Sequence, residues 1–593
     1  MSNGLRLLLC PLLFLSAHTV HSQALVRYTL FLSNPEQHTV HVAMELPPGH
    51  KSHELQLPVW NALYQIRDFS QYMTWIRARD TKGYSLRVTQ LNKSRWQVSG
   101  TQDGAQVEYE TFADNPGAYG AQLNRRHAFF NLAEILLYTD DMRTAATQVR
   151  FENLPEQWKI ATPLSQSGEY YHAENYDRLV DAPVEIGTFD ERDFTAACGK
   201  YRVVVDADSA TQILAKIVPP IQRIVAAATN WMNDCPFETY TFIYHFSDVP
   251  GEGGMEHAYS TAISLGAKDV VDGLDRVLGI TAHEFFHLWN VKRIRPQSLE
   301  PVDYTKENYT TVLWFSEGVD STVSQYIQLR AGLLNEQQYL KHLSEEITEL
   351  ENRPAHLTQS VEESSEDAWL EKYSAYSLPQ RSISYYNKGE LLGILLDLEM
   401  RRRSYNQISL RELFQWMNEH YAKPGEYFAD SKGVEEAAEL LTHSDFHEFF
   451  AKYVAGVEEM RWDDLFAPVG LRITKSEVVF PAPGFDAVQK FDQPPIVVEV
   501  YPGTEAENAG VVSGDVILQL NGQPAGRDFS KQVAKLIPGE KLTLVIRHEG
   551  GQKTVSLKLG SRRRTVYQLV DLPAVTSQEK ALRADWLFGG TGR

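Results

Sequence analysis

The spacing of apolar residues changes twice along the chain, near residue 190 and again near 470, and this pattern limits the fold more than any other feature. From Ala24 to about Gly187, segments such as "VRYTLFLS", "HTVHVAMELP", "YSLRVTQL" and "AQVEYETFA" alternate or carry β-branched and aromatic residues between turn residues. That is the signature of half-buried strands. A short strand, "ETYTFIYHF", follows a helical stretch that is expected to break near Pro219 and Pro220. Segments such as "KGELLGILLDLEMRRRS" and "SLRELFQWMNEHY" then place apolar residues at helical spacing. From about Gly470 the texture is β again, with Gly550-Gly551 at a hairpin turn. With 593 residues, the chain is too long for one hydrophobic core. The expected fold class is multidomain α+β. An N-terminal antiparallel β domain spans 24–188, and a middle domain over 189–465 is α/β and then helical. A β module follows over 466–560, and a C-terminal tail over 561–593.

The formal net charge of -20 argues against nucleic acid or an anionic membrane surface as the main partner. The first residues, with Arg6 ahead of the apolar run Leu7 to Leu15 and small residues at Val20 and Ser22, read as a secretory signal peptide over 1–22. That run is too short to span a bilayer, and no other stretch is long enough. Export to the periplasm or beyond the cell is the expectation. Cys10 is lost with the signal. Cys198 and Cys235 then either bond to each other in an oxidising compartment or sit as separate buried thiols. No feature sets an oligomeric state.

One stretch carries chemistry: "GITAHEFFHLWN", Gly279 to Asn290. On a helix, His283 and His287 lie on one face and can hold one ion, and neutral imidazole is a good zinc ligand. Glu284 is turned about 100° from His283, too far for an easy third ligand. It is well placed to serve a metal-activated water as general base. A catalytic zinc needs a third protein ligand. Glu300 precedes a proline and Glu307 lies in a polar stretch. Glu317, in "LWFSEGVDSTVSQY", is flanked by apolar residues at the start of a helix, and a buried carboxylate needs a partner. Asp320 is expected either behind a ligand or on a solvated helix face.

With "GGMEH", "HEFFHLWNVKRIRP", "LWFSEGV" and "YYNKGELLGILLDLEMR" in this order, the sequence resembles the glycyl aminopeptidase family of thermolysin-like (gluzincin) zinc metallopeptidases. The resemblance implies a thermolysin-like catalytic domain over 189–465 and one Zn2+ per chain, held by His283, His287 and Glu317. It implies that Glu256 binds the free amino group of a peptide substrate. Gly253 and Gly254 would let the peptide approach the backbone closely. Tyr386, rather than its neighbour Tyr385, would stabilise the oxyanion. Removal of small N-terminal residues, glycine or alanine, is the implied activity. The segment "VYPGTEAENAGVVSGDVILQLNG" resembles a PDZ domain of the bacterial protease type. Such a module binds peptide C-termini by strand addition, with "VGLRI" (Val469 to Ile473) read either as the carboxylate loop or as a plain β-strand start; the module could instead only pack on the catalytic domain. The alternatives are a zinc endopeptidase whose PDZ domain recruits substrate, and a non-catalytic periplasmic peptide-binding protein.

Overall fold

The computed structural model describes residues 25–589, apart from 62–63, 197, 248–252, 272, 372–378, 489–493 and 526–528. The expected signal peptide lies outside the described residues. Among the described residues, no helix is long and apolar enough to cross a membrane.

Residues 25–187 form an 11-stranded sheet and a 4-stranded sheet. The alternation read from the sequence is the cause: Ala105–Phe112 buries every second side chain toward the core. Tyr28 and Tyr109 sit in this core, and each donates its hydroxyl to a backbone carbonyl, of Leu137 and Ile135 respectively. One pairing departs from the antiparallel expectation. Leu25–Phe31 runs parallel to Ala146–Glu152. The first strand lies between 39–46 and 146–152 in the sheet order, so its second neighbour is reached by a long connection rather than a hairpin.

The middle of the chain opens with a 5-stranded sheet, ordered 190–195, 200–206, 239–246, 260–265, 253–257. Its three inner strands are parallel and its edges antiparallel. Helix α1, Ala210–Met232, makes the crossover between the first two parallel strands and runs unbroken through Pro219 and Pro220. The expected break does not occur. Ile217, Val218, Ile221, Ile224 and Val225 are buried in one core on both sides of the prolines, and that burial outweighs roughly 3 kcal/mol per interior proline. Cys198 and Cys235 are disulfide-bonded, tying the turn before 200–206 to the loop before 239–246. Four further helices follow, of which three carry residues of the site or lie directly behind it. They are α2 (Asp275–Phe286), α3 (Asp320–Arg330), α4 (Glu336–Glu351) and α5 (Tyr385–Arg403).

Toward the C-terminus, strands 485–488, 496–500, 516–520, 541–548 and 551–558 enclose a separate core that includes Phe485, Val497, Ile517 and Leu544. This module hangs from a ribbon in which Leu471–Ala482 pairs along its length with Gly560–Asp571. The stretch expected as a tail is instead built into the middle domain. Leu471, Tyr567, Leu569 and Trp586 belong to the main core, and helix α6, Ser577–Phe588, closes over it. A capping box between Thr576 and Glu579 starts α6. From α6, the Arg583 guanidinium donates to the carbonyls of Val469 and Gly470, each at 2.8 Å. The "VGLRI" segment is thus an anchored strand start, with Leu471 fully buried, and not an open carboxylate loop.

Candidate metal centre and peptide cleft

Helix α2 ends in the site. His283 lies in its last turn and His287 is its C-cap. The two Nε2 atoms are 3.1 Å apart, and each lies 3.4 Å from Glu317 Oε2. A tetrahedral zinc with bonds of about 2.0–2.1 Å spaces its ligand atoms about 3.3–3.4 Å apart, so this triangle fits such an ion. The donor set, two imidazoles and one carboxylate, suits zinc and leaves the fourth position open. The fit is strengthened by Glu284, which is buried and whose Oε2 has no hydrogen-bond partner. An orphaned buried carboxylate oxygen needs a ligand.

Glu317 is aimed by an unusual backbone. Trp314–Val319 forms a π-helical turn ahead of α3, a distortion that recurs at functional sites. Asn290, three residues after His287, donates to the carbonyls of Phe315 at 3.0 Å and Ser316 at 3.3 Å. It thereby clamps the end of the α2 segment to the turn that carries Glu317. His287 Nδ1 donates to the Asn290 carbonyl at 3.0 Å, which fixes the tautomer that leaves Nε2 free for a metal. Asp320 lies at the far edges of both rings, 3.2 Å from His283 Nδ1 and 3.4 Å from His287 Nδ1. It is fully buried, so the solvated helix-face alternative fails.

The electrostatics follow from burial and mutual charge. Burial disfavours charge on both imidazoles, but Asp320 and Glu317 outweigh it and raise them. Burial likewise opposes ionisation of Glu317, yet the imidazoles hold its carboxyl well below the ordinary range. For Glu284, burial wins over the imidazoles, with help from Glu256 and Glu317, and pushes the carboxyl up to about 8.

The strand Gly253–His257 passes over Glu284. A Cβ on Gly254 would stand 2.2 Å from Glu284 Oε1, and a Cβ on Gly253 would stand 2.2 Å from the Tyr119 hydroxyl. Gly253, with φ +149°, favours glycine on backbone grounds as well, whereas a side chain at 254 would force the Glu284 carboxylate to move. Glu256 lies on the same strand and lines the cavity with the metal-site residues. Tyr385 and Tyr386 both line it; the Tyr386 ring lies 6.2 Å from that of His283, and Tyr385 is the more buried of the two. The cavity holds about 660 Å³. The structure thus brings together every predicted site residue; Glu300, set aside as a ligand, pairs with Arg295 at 2.8 Å on the cavity wall.

Sequence reasoning missed the other wall. Trp60, Asn61, Tyr64 and Tyr119 of the N-terminal β domain line the same cavity. No local motif marks them, because the metal-site residues with which they share the cavity lie more than a hundred positions away in sequence. Asn290 was within reach of sequence reasoning, since it sits inside the "HLWNVKRIRP" stretch.

The family model described as M61 glycyl aminopeptidase matches residues 276–392, that of the peptidase M61 N-terminal domain matches 27–188, and that of the PDZ domain matches 496–548. A solved aminopeptidase N family protein from Idiomarina loihiensis is 26% identical, covering 95% of this chain and 100% of that one, with a TM-score of 0.82. An M1 zinc metallopeptidase from Deinococcus radiodurans is 13% identical, with a TM-score of 0.43 over 70% of this chain and 90% of that one. Among curated proteins, a probable periplasmic serine endoprotease DegP-like from Rhizobium meliloti is 38% identical over 68 residues; the chain spans 14% of that protein's length and 11% of its own. These matches give the chain the N-terminal and peptidase domains of the M61 glycyl aminopeptidase family, a zinc metallopeptidase arrangement, with a PDZ domain behind them.

Proposed function

We propose that the chain is a zinc-dependent aminopeptidase that removes small N-terminal residues, glycine or alanine, from peptides. The observation that carries this reading is the His283, His287 and Glu317 triangle beside a buried Glu284 whose Oε2 has no hydrogen-bond partner. When bound, the cation supplies Lewis-acid chemistry, acidifying a water and polarising the scissile carbonyl. Glu284 takes the proton of the attacking water and returns it to the leaving amine. Tyr386 donates its hydroxyl to the oxyanion that develops on the scissile carbonyl. Glu256 pairs with the substrate ammonium, which selects a free N-terminus. Gly254 keeps that strand close enough to Glu284 for both carboxylates to serve one substrate, and Gly253 lets it pass Tyr119.

The preference for small residues rests on the family alone. Export is proposed from the N-terminal sequence, and capture of peptide C-termini by the PDZ domain from its type. The decisive experiment is hydrolysis of a panel of aminoacyl chromogenic amides and of their N-acetylated forms, with and without a chelator. Chelator-sensitive cleavage of glycyl and alanyl amides, with blocked forms inert, is the expected result. Cleavage of the blocked forms at a comparable rate would mean an endopeptidase.

A further inference from the structure

A second cluster of metal-type ligands lies outside the cleft, where the N-terminal β domain meets the catalytic sheet. His127 and Glu185 come from the 4-stranded sheet of the N-terminal domain. Asp206 and His245 come from adjacent parallel strands of the catalytic domain. Glu185 is fully buried and His245 nearly so. His127 Nδ1 lies 3.1 Å from Glu185 Oε1 and 3.4 Å from Asp206 Oδ2, and His245 Nε2 lies 2.9 Å from Glu185 Oε2.

The outer nitrogens of the two rings decide what this cluster is for. His127 Nε2 is 3.1 Å from the Gln122 amide oxygen, and His245 Nδ1 is 3.1 Å from Ser264 Oγ. If each outer nitrogen donates to its oxygen, each inner nitrogen presents a lone pair toward the shared carboxylate. Metal-ligating histidines are held in this way, by an acceptor on the nitrogen that does not bind the ion. Two carboxylates facing two such lone pairs repel unless a positive charge sits among them. A divalent cation supplies that charge; the alternative is a proton on each ring. A cavity of about 370 Å³, lined by His127, Asp206, His245 and Ser264, gives an ion a route of entry.

We propose that His127, Glu185, Asp206 and His245 form a second, structural site for a divalent cation of the zinc class, stapling the N-terminal β domain to the catalytic domain. Two nitrogens and two carboxylates suit zinc over calcium or magnesium, which take oxygen ligands. The ligand atoms of His127, Glu185 and His245 lie within 4.8 Å of one another, and Asp206, beside His127, would add the fourth ligand that closes the coordination sphere, as in structural rather than catalytic zinc sites. Because each domain contributes two ligands, the ion would hold together the two walls of the peptide cleft.

The test is Zn2+ stoichiometry on the full chain, stripped with a chelator, reloaded, desalted and measured by elemental analysis. The wild type is expected to retain about two Zn2+ per chain, and Glu185→Gln and the double variant His283→Ala/His287→Ala about one each, since a site rarely survives loss of its ligand set. Zn2+ should still raise the Tm of the double variant, because an ion that binds only the folded state stabilises it. One Zn2+ in the wild type with none in the double variant would overturn the proposal and leave a protonated His–Glu–His link at the seam. Two Zn2+ in Glu185→Gln would overturn it as well. Should Glu185→Gln fail to fold, the double variant decides by retaining one Zn2+ or none.

Discussion

At the scale of single residues, the site separates metal binding from proton transfer, and substitutions can separate them too. Glu284→Gln keeps the size of the side chain and removes the base. Its zinc content should equal that of the wild type, while kcat falls about 10²–10⁴-fold. Gly254→Ala is a sharper test, because it changes no functional group. Its Cβ would stand 2.2 Å from Glu284 Oε1, closer than such atoms approach, so the carboxylate must swing away. Zinc should again be retained and kcat should fall by a similar factor; a Gly254→Ala enzyme of near-normal kcat would refute the contact. The ligands and the base were legible because HExxH is a local pattern, two imidazoles and a carboxylate within one helical turn. Glu317 was legible from its apolar flanks. Tyr119 and Trp60 were not, since nothing near them in sequence announces the cavity they line.

Elements transmit this geometry through close backbone packing. The π-helical turn carrying Glu317 lies against α5, which carries Tyr386, with no side chains between them. A Cβ on Gly389 would stand 2.4 Å from the Trp314 carbonyl oxygen, and one on Gly318 would stand 2.5 Å from the Gly389 Cα. Gly389→Ala should therefore push the two elements apart. Zinc affinity is expected to fall about 10–100-fold, as when a residue supporting a ligand is lost, and kcat should fall with it. Gly279→Ala is the matched control: its Cβ meets nothing within 4 Å on the ligand helix, and alanine raises helix propensity. The disulfide acts at the same scale. Cys198 and Cys235 are 37 positions apart, so removing the cross-link with Cys198→Ala/Cys235→Ala should cost about 4 kcal/mol in denaturant unfolding, on the loop-entropy argument. The prolines of α1 show why local rules misread elements. Proline propensity predicts a break, but the buried apolar face continues through it, and only the folded core reveals that.

At the scale of the whole molecule, the chain returns to its catalytic core after forming the PDZ module. The sequence texture located that module, because its strands and turns are local. It did not show the return, because α6 gains its meaning from residues some 250 positions earlier. Trp586 on α6 is fully buried, and its indole donates to the Tyr326 hydroxyl at 2.7 Å. Tyr326 lies on α3, the helix that begins with Asp320 behind the ligand histidines. The PDZ core, by contrast, shares no buried residue with this one. Separate cores imply separate unfolding transitions, and substitutions in these two should move theirs independently. Trp586→Ala should destabilise the catalytic transition by about 3–5 kcal/mol, the usual cost of emptying a buried tryptophan site. Ile517→Ala, in the PDZ core, should lower the other transition by about 2–5 kcal/mol and leave zinc retention and kcat unchanged. Calorimetry of the two variants distinguishes this from a single cooperative unit, in which both substitutions would shift one common transition. If Trp586→Ala moved only the PDZ transition, α6 would belong to the module it follows in sequence and not to the core it covers.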